Sequence, residues 1–163
     1  MTTPLERLWA GWRAGYVAGE EPAPDDGTCV LCRVLEEGTS VVWRGSTSAV
    51  ILNAYPYTNG HVMVMPVRHL SDLEDLDGTE GAELWSATVD AVRAVKEAYR
   101  PDGLNVGANL GRPAGAGLPG HLHVHVLPRW DGDTNFMTAV AGTRVLPESL
   151  PDSAQRLKAA WPA

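Results

Sequence analysis

The 163-residue sequence predicts one α+β domain built on a largely antiparallel β-sheet. Three observations support this fold class. β-prone runs lie before and after one long helical segment, strands and helices do not alternate one for one, and the composition is that of a folded protein, with 44% hydrophobic and 20% charged residues. Because no linker or shift in composition divides the chain, we expect a single domain over residues 1–163 with a core at about 29–130.

The first part of the chain predicts a short helix, a loop and three strands. Thr3 begins a helix N-cap pattern that leads into apolar residues at helical spacing. Residues 18–28 are rich in Gly, Pro and acids and indicate a surface loop. Val41–Trp43 and Ala49–Leu52 are typical of a hairpin, and His61–Met65 forms a third strand that ends at the following proline.

The second part predicts two helices and two more strands. Residues 71–74 indicate a short helix, and a long helix begins at Thr79 or Glu80 and ends at Tyr99. Leu104–Leu110 and Leu122–Leu127 are the remaining strands, on either side of a glycine-rich loop. The apolar stripe of the long helix comprises Leu84, Ala87, Ala91, Ala94, Val95 and Ala98.

The charge of the chain limits its partners. Thirteen basic against twenty acidic side chains give a net charge of −7, which argues against nucleic acid or an anionic membrane held by bulk charge. No apolar run approaches the roughly 20 residues of a membrane span, and the first 16 residues do not resemble a secretory signal. We therefore expect a cytoplasmic protein that binds any anionic ligand locally.

Three histidines alternate with apolar residues in the last predicted strand. Because successive side chains of a strand point to opposite faces, His121, His123 and His125 are expected on one face, with Leu122 and Val124 on the other. Neighbours in this row are about 6.6 Å apart, so all three imidazoles can line one ligand. Two alternatives stay open from the residues alone: histidines placed by chance on an exposed face, and an all-histidine metal site.

The alternating histidine row, together with a few motif residues before and after it, resembles the histidine triad family of nucleotide hydrolases and transferases, over about residues 29–129. After the row comes Asp131-Gly-Asp-Thr-Asn-Phe136, which is most similar to the diadenosine tetraphosphate phosphorylase-like members found in actinobacteria. The companion residues are Asn53, Gly60-His61, Pro66-x-x-His69 and Pro128-Arg129.

The resemblance implies a fold, a nucleophile and an assembly. The fold is a five-stranded, mainly antiparallel sheet with one long and several short helices. Family members dimerise through the long helix, so a homodimer or higher homo-oligomer is expected. His123 is then the nucleophile that forms a nucleotidyl-histidine at the α-phosphorus of the substrate. His121 and His125 orient His123 and stabilise charge on the phosphoryl oxygens, and His61 lines the same pocket.

Substrate contacts follow from the same resemblance, with one departure. Asn53 aligns with the residue that binds ribose hydroxyls, although an Asn before Ala-Tyr-Pro also forms turns. Family members carry Gln and Ser or Thr in the glycine-rich loop, where this chain has Gly117 and Leu118. Backbone N–H groups of the loop, including those of Gly115 and Gly117, or Arg112 and Arg129 must therefore hold the phosphates, and Asn109 is a further candidate for a phosphate contact.

Cys29 and Cys32 form a C-x-x-C pair, which in a reducing compartment suggests metal or redox chemistry. Two packed thiols are the alternative. The resemblance implies that they bind a structural Zn²⁺ together with His69 and His121, since a Cys₂His₂ set suits tetrahedral zinc. No organic cofactor is expected.

The expected reaction is nucleotidyl transfer from a dinucleoside polyphosphate to His123 and then to phosphate or water. Transfer to phosphate releases ATP and ADP from diadenosine tetraphosphate, and transfer to water makes the protein a hydrolase. Two other functions stay open: hydrolysis of nucleoside phosphoramidates, and nucleotide binding by a zinc-stabilised module without turnover.

Overall fold

The computed structural model describes residues 28–133 and 147–162. A five-stranded sheet has the order β1-β2-β3-β5-β4, and every neighbouring pair is antiparallel. The strands are β1 (Val41–Arg44), β2 (Ser48–Leu52), β3 (Val62–Pro66), β4 (Gly103–Ala108) and β5 (Val124–Arg129), and the helices are α1 (Val30–Glu37), α2 (Gly78–Tyr99) and α3 (Leu150–Ala159). The predicted α+β fold with a five-stranded antiparallel sheet is confirmed.

The two faces of the sheet are covered by different helices. One face, with Val50, Val64 and Val126, packs against the apolar stripe of α2. The other face, with Ile51 and Met63, packs against α1. β2 and β3 are buried along their whole lengths and form the apolar centre of the sheet.

Helix α2 begins one or two residues before the predicted start. Asp77 is the N-cap: its side chain accepts from the backbone N–H groups of Thr79 and Glu80, and the Glu80 side chain accepts from Asp77 N–H. This capping box satisfies backbone donors that the helix itself leaves unpaired. Five of the six predicted stripe residues are buried: Leu84, Ala87, Ala91, Ala94 and Val95.

Three predicted elements have different bounds in the structure. Residues 71–74 do not form a helix; a single 3₁₀ turn is present at Leu73–Asp75. The last strand begins at Val124, two residues after the predicted start, and β4 ends at Ala108. The predicted helix after Thr3, and residues 134–136 of the actinobacterial resemblance, lie outside the described residues.

Helix α3 has no counterpart among the elements predicted from the sequence. Its N-cap is Ser149, and Leu157 is buried in the cluster under α2. The indole of Trp161 stacks on Trp43 of β1 at 5.5 Å between ring centroids. These contacts attach residues 147–162 to the sheet.

A glycine at the start of β3 is required by both its backbone and its surroundings. Gly60 has φ +77°, and a Cβ there would lie 2.6 Å from the Tyr99 ring. We predict that Gly60→Ala lowers the free energy of unfolding by about 3 kcal/mol, about 1 from the left-handed backbone and the rest from overpacking. Urea unfolding measures this loss.

Gly38 provides the matched control for Gly60. It also has positive φ (+71°), but a Cβ there meets nothing within 4 Å. Gly38→Ala should therefore cost only about 1 kcal/mol, the backbone component alone. Equal costs at the two positions would contradict the clash with Tyr99.

Within residues 28–133 and 147–162, none of the helices combines the length and the apolar character that a membrane span requires.

Candidate active site and metal centre

The histidine row divides into two groups. Because β5 begins only at Val124, His121 and His123 precede the strand and His125 lies within it. The His123 ring contacts His125, with centroids 4.9 Å apart, and His125 contacts His61 at 5.1 Å. His121 instead packs edge-on against His69 at 5.2 Å. The expectation of three imidazoles side by side on one strand is thus replaced by a cluster of His61, His123 and His125 beside a separate cluster around His121.

His123 is held in a single tautomer. Its Nδ1 lies 2.7 Å from the backbone carbonyl oxygen of His121. Since a carbonyl oxygen only accepts, Nδ1 carries the proton, and Nε2 of the neutral ring keeps a lone pair. The side chain is 6% exposed, so its orientation is fixed by packing as well as by this hydrogen bond. Nε2 of His123 has the electronic form that a nucleophile requires.

His61 and His125 are joined through their ring nitrogens. Nε2 of His61 lies 2.9 Å from Nδ1 of His125, and His61 is fully buried. Burial, together with the charge interaction with His123, lowers the pKa of His125 to about 4. His125 is therefore neutral at neutral pH and donates through an N–H group of an uncharged ring.

A second cluster is formed by Cys29, Cys32, His69 and His121, whose ligand atoms all lie within 4.8 Å of one another. Sγ of Cys29 and Sγ of Cys32 lie 3.4 and 3.5 Å from Nδ1 of His121, and Cys32 Sγ lies 3.5 Å from Nδ1 of His69. His121 donates through Nε2–H to the carbonyl oxygen of Pro66 at 2.9 Å, so its Nδ1 has a lone pair that faces the thiols. These four residues could hold a metal ion.

Burial shapes the protonation of this cluster. Burial and the hydrogen bond to Cys29 raise the pKa of the Cys32 thiol to about 11. Burial also lowers the pKa of His121, which keeps that ring neutral. A bound cation has the opposite effect on the thiols, because it stabilises the thiolate form.

The segment that carries His69 is attached to the start of α2. Arg68 forms a two-pronged ion pair with Glu80, at 2.8 and 2.7 Å, and donates to the carbonyl oxygen of Asp75. The hydrogen bond to Arg68 lowers the pKa of Glu80 to about 2. Next to it, Leu122 N–H donates to Leu70 O at 2.7 Å, which aligns the His121 segment with the His69 segment.

The glycine-rich loop is closed by short backbone hydrogen bonds. Gly111 and Gly115 have positive φ values of +79° and +96°, which glycine adopts without strain. The side-chain amide of Asn109 donates to the carbonyl oxygen of Gly115 at 3.3 Å. Gly117 is half-buried and Arg112 is exposed. The Asn109 contact orients the loop that leads to His121.

Two of the predicted substrate residues already have intramolecular partners. Asn53 accepts from Tyr55 N–H at 2.9 Å, so it does form the turn considered above, and its amide nitrogen lies 3.4 Å from Nε2 of His61. Arg129 forms a two-pronged ion pair with Asp133 and donates to Asn105. Asn53 therefore borders the histidine cluster, whereas the guanidinium of Arg129 is engaged with Asp133.

Two groups beside the site were not singled out from the sequence. Tyr57 stacks on His61 with ring centroids 5.1 Å apart, and its backbone N–H donates to His61 Nδ1 at 3.2 Å. The carbonyl oxygen of Pro66 fixes the His121 tautomer. The only sequence signal for either group is that it lies a few residues from a predicted histidine.

The fold agrees with the comparisons with known proteins. Residues 34–132 match the HIT domain, and the chain belongs to the histidine triad (HIT) family. It is 42% identical to a Mycobacterium tuberculosis protein named AP-4-A phosphorylase, over 96% of this chain and 85% of that protein.

Two solved structures of the family are similar to this chain. A hypothetical histidine triad nucleotide-binding protein from Sulfolobus tokodaii has a TM-score of 0.68 and 28% identity, covering 81% of this chain and 91% of its own. A Zn-bound histidine triad family protein from Mycobacterium smegmatis has a TM-score of 0.66 and 29% identity, covering 82% and 92%.

Proposed function

We propose that this protein is a nucleotidyl transferase that cleaves dinucleoside polyphosphates such as diadenosine tetraphosphate by phosphorolysis, releasing ATP and ADP. One observation carries the proposal: the hydrogen bond from His123 Nδ1–H to the His121 carbonyl leaves Nε2 as a buried nucleophile. The relative named AP-4-A phosphorylase supports both the substrate class and the use of phosphate.

In the first half of the reaction, Nε2 of His123 attacks the α-phosphorus of the dinucleotide. A P–N bond forms, the P–O bond to the polyphosphate breaks, and ATP leaves with the electron pair of that bond. The histidine ring becomes positively charged because Nδ1 keeps its proton. The His121 carbonyl, 2.7 Å from Nδ1, stabilises this charge, and an N–H of His125 is available to the phosphoryl oxygens.

In the second half, an oxygen of inorganic phosphate attacks the same phosphorus and the P–N bond breaks. The nucleotide leaves as ADP, and the electron pair of the P–N bond returns to Nε2 as the neutral ring is restored. Water in place of phosphate would release AMP, which is the outcome expected of a hydrolase.

The substrate contacts are proposals of the same kind. Asn53, beside His61, is proposed to bind a ribose hydroxyl, and the N–H of Gly117, in the loop oriented by Asn109, is proposed to bind phosphate. The N–H of Gly115 is proposed as a second phosphate donor, but it donates to Arg112 O at 2.9 Å and must first release it. Arg129 is proposed as a further phosphate contact, but it must first release Asp133. Because this chain lacks the loop Gln and Ser or Thr, backbone donors are the expected replacement.

We also propose that the Cys29, Cys32, His69 and His121 cluster binds a structural Zn²⁺. In a tetrahedral zinc site with bonds of about 2.0–2.3 Å, ligand atoms lie about 3.5 Å apart. Three contacts among these side chains, of 3.4–3.5 Å, fit that spacing, and all four ligand atoms lie within 4.8 Å of one another. When bound, the ion supplies a link between α1 and the segments that precede β5 and follow β3, and it takes no part in the transfer steps. No organic cofactor is proposed.

The deciding experiment compares acceptors. The protein is incubated with diadenosine tetraphosphate with and without inorganic phosphate, and AMP, ADP and ATP are separated by ion-exchange chromatography. Phosphate-dependent ADP and ATP in equal amounts would support the proposal. AMP and ATP under both conditions would make the protein a hydrolase, and no products under either would leave a nucleotide-binding module.

Assembly, domain extent and location are proposed along with the activity. We propose a homodimer of single-domain chains, residues 1–163, that acts in the cytoplasm without nucleic acid or membrane partners. β4 lies at the end of the strand order and, in the described part of the chain, pairs only with β5. Val106 on β4 is 45% exposed and Trp85 on α2 is 69% exposed, so both carry apolar surface that a second chain would cover.

The dimer is tested by its mass in solution and by a substitution that adds a charge to the exposed apolar surface. Sedimentation equilibrium should give twice the chain mass of 17.5 kDa. Val106→Lys should shift the equilibrium towards single chains, because a charge on that surface opposes its burial. A single-chain mass for the unsubstituted protein at micromolar concentration would contradict the dimer.

A further inference from the structure

Tyr57 contacts His61 in two ways at once. Its ring stacks on the imidazole with an interplanar angle of 20° and 5.1 Å between centroids. Its backbone N–H donates to Nδ1 of the same imidazole at 3.2 Å. The stack limits rotation of the His61 ring, and the hydrogen bond selects which nitrogen of that ring is unprotonated.

The proton positions along the chain of rings follow from these contacts. Because Nδ1 of His61 accepts from Tyr57 N–H, the proton of the neutral ring is on Nε2. That N–H points to Nδ1 of His125 at 2.9 Å, so Nδ1 of His125 accepts. The proton of His125 is then on its own Nε2, the nitrogen that faces away from His61.

The opposite arrangement is unfavourable at Nδ1 of His61. A proton on His61 Nδ1 would face the Tyr57 N–H, so two donors would oppose each other at the buried imidazole. The side-chain amide nitrogen of Asn53 is a competing donor to His61 Nε2, but at 3.4 Å this contact is longer than the 3.2 Å bond from Tyr57 N–H to Nδ1 and the 2.9 Å contact between Nε2 and His125. The backbone of the Asn53–Tyr57 loop thus determines the tautomer of both rings.

We propose that Tyr57 is a positioning residue for nucleotidyl transfer, acting through His61 to keep His125 as the Nε2–H tautomer that donates to the phosphoryl oxygens. The proposal rests on the proposed function for the transfer step only. The arrangement of protons in the resting protein is independent of any substrate.

The first test is nuclear magnetic resonance of the full chain labelled with ¹⁵N-histidine. In the unsubstituted protein, both His61 and His125 should show protonated Nε2 and unprotonated Nδ1. Tyr57→Gly removes the ring and loosens the backbone that supplies the N–H, so both histidines should become tautomer mixtures. Tyr57→Phe keeps the ring and the backbone and should match the unsubstituted protein.

A second pair of variants tests the connection from His61 to His125. In His61→Gln, the side-chain amide retains one acceptor and one donor, so His125 should keep its proton on Nε2. His61→Leu has a similar volume but no donor, so His125 should become a mixture. Circular dichroism melting confirms that each variant is folded.

Kinetics separate positioning from substrate binding. Tyr57→Gly should lower kcat on the order of tenfold while KM changes by less than about twofold, as is typical when a supporting hydrogen bond is lost. Unchanged His125 protonation in both Tyr57→Gly and His61→Leu would overturn the proposal. If the unsubstituted protein transfers no nucleotide although its tautomers respond as expected, the proposed function fails and the role of Tyr57 in fixing the two rings stands.

Discussion

Replacement of His123 by alanine is expected to lower the rate of diadenosine tetraphosphate cleavage by at least about 10⁴-fold, since removal of a covalent nucleophile leaves only binding and charge stabilisation. His123 is 6% exposed but is not one of the hydrophobic core residues, so the variant should stay folded with a small loss of stability. The measurement is initial rate by chromatography of the nucleotides, with the melting temperature measured in parallel.

His125→Gln is the matched control for the nucleophile. Both histidines lie in the same cluster, but only His123 is proposed to form the P–N bond. With substrate labelled at the α-phosphorus and no added phosphate, the His125 variant should still accumulate acid-labile protein-bound label, more slowly than the unsubstituted protein. His123→Ala and His123→Gln should accumulate none. Full turnover by a folded His123 variant would contradict the assignment.

The sequence predicts the sheet and the long helix well because both depend on side-chain period. Alternation places Val50, Val64 and Val126 on one face, and helical spacing places Leu84 and Ala91 on one stripe, and all five are buried against each other. The same reasoning predicts where β2 and β3 lie to within one residue. These elements are determined by burial, which is visible in the pattern of apolar residues.

Alternation alone predicts His121 on the same strand as His125, and this prediction is wrong. The segment before Val124 does not continue β5; Leu122 N–H bonds to the carbonyl of Leu70, which follows β3. This pairing brings His121 to Cys29 and Cys32 and leaves His123 with His125. An alternating pattern predicts the direction in which side chains point, but it does not predict which neighbouring segment the backbone pairs with.

Helix α3 and the tautomers show two different limits. Ser149 and Pro151 are a local start signal, so the sequence does contain the information that predicts α3. The proton positions on His61 and His123 depend on Tyr57 N–H and His121 O, which are backbone groups without any residue-specific signal. The composition of the site is therefore predictable from residue types, and its protonation only from coordinates.

A second large effect is expected on the stability of the protein when the metal ion is removed. Protein purified without chelator should contain about one zinc per chain by elemental analysis. Removing the ion should lower the melting temperature by about 10 °C, because loss of roughly 3 kcal/mol shifts a domain of this size by that amount. The physical reason is that Cys29 and Cys32 lie at the start of α1 and His69 and His121 lie beside the sheet, so the ion joins separate segments only in the folded state.

Cys32→Ser tests whether the four side chains act as one site. Cys32 Sγ lies 3.5 Å from both histidine nitrogens, so its loss removes the ligand that faces both of them. The variant should contain little zinc and should melt near the temperature of the chelated protein, and chelator should then cause no further shift. A metal-free native protein whose melting is unaffected by chelator would exclude the site. In that case the backbone bond from Leu122 N–H to Leu70 O and the bond from the His121 imidazole to Pro66 O hold these segments without an ion.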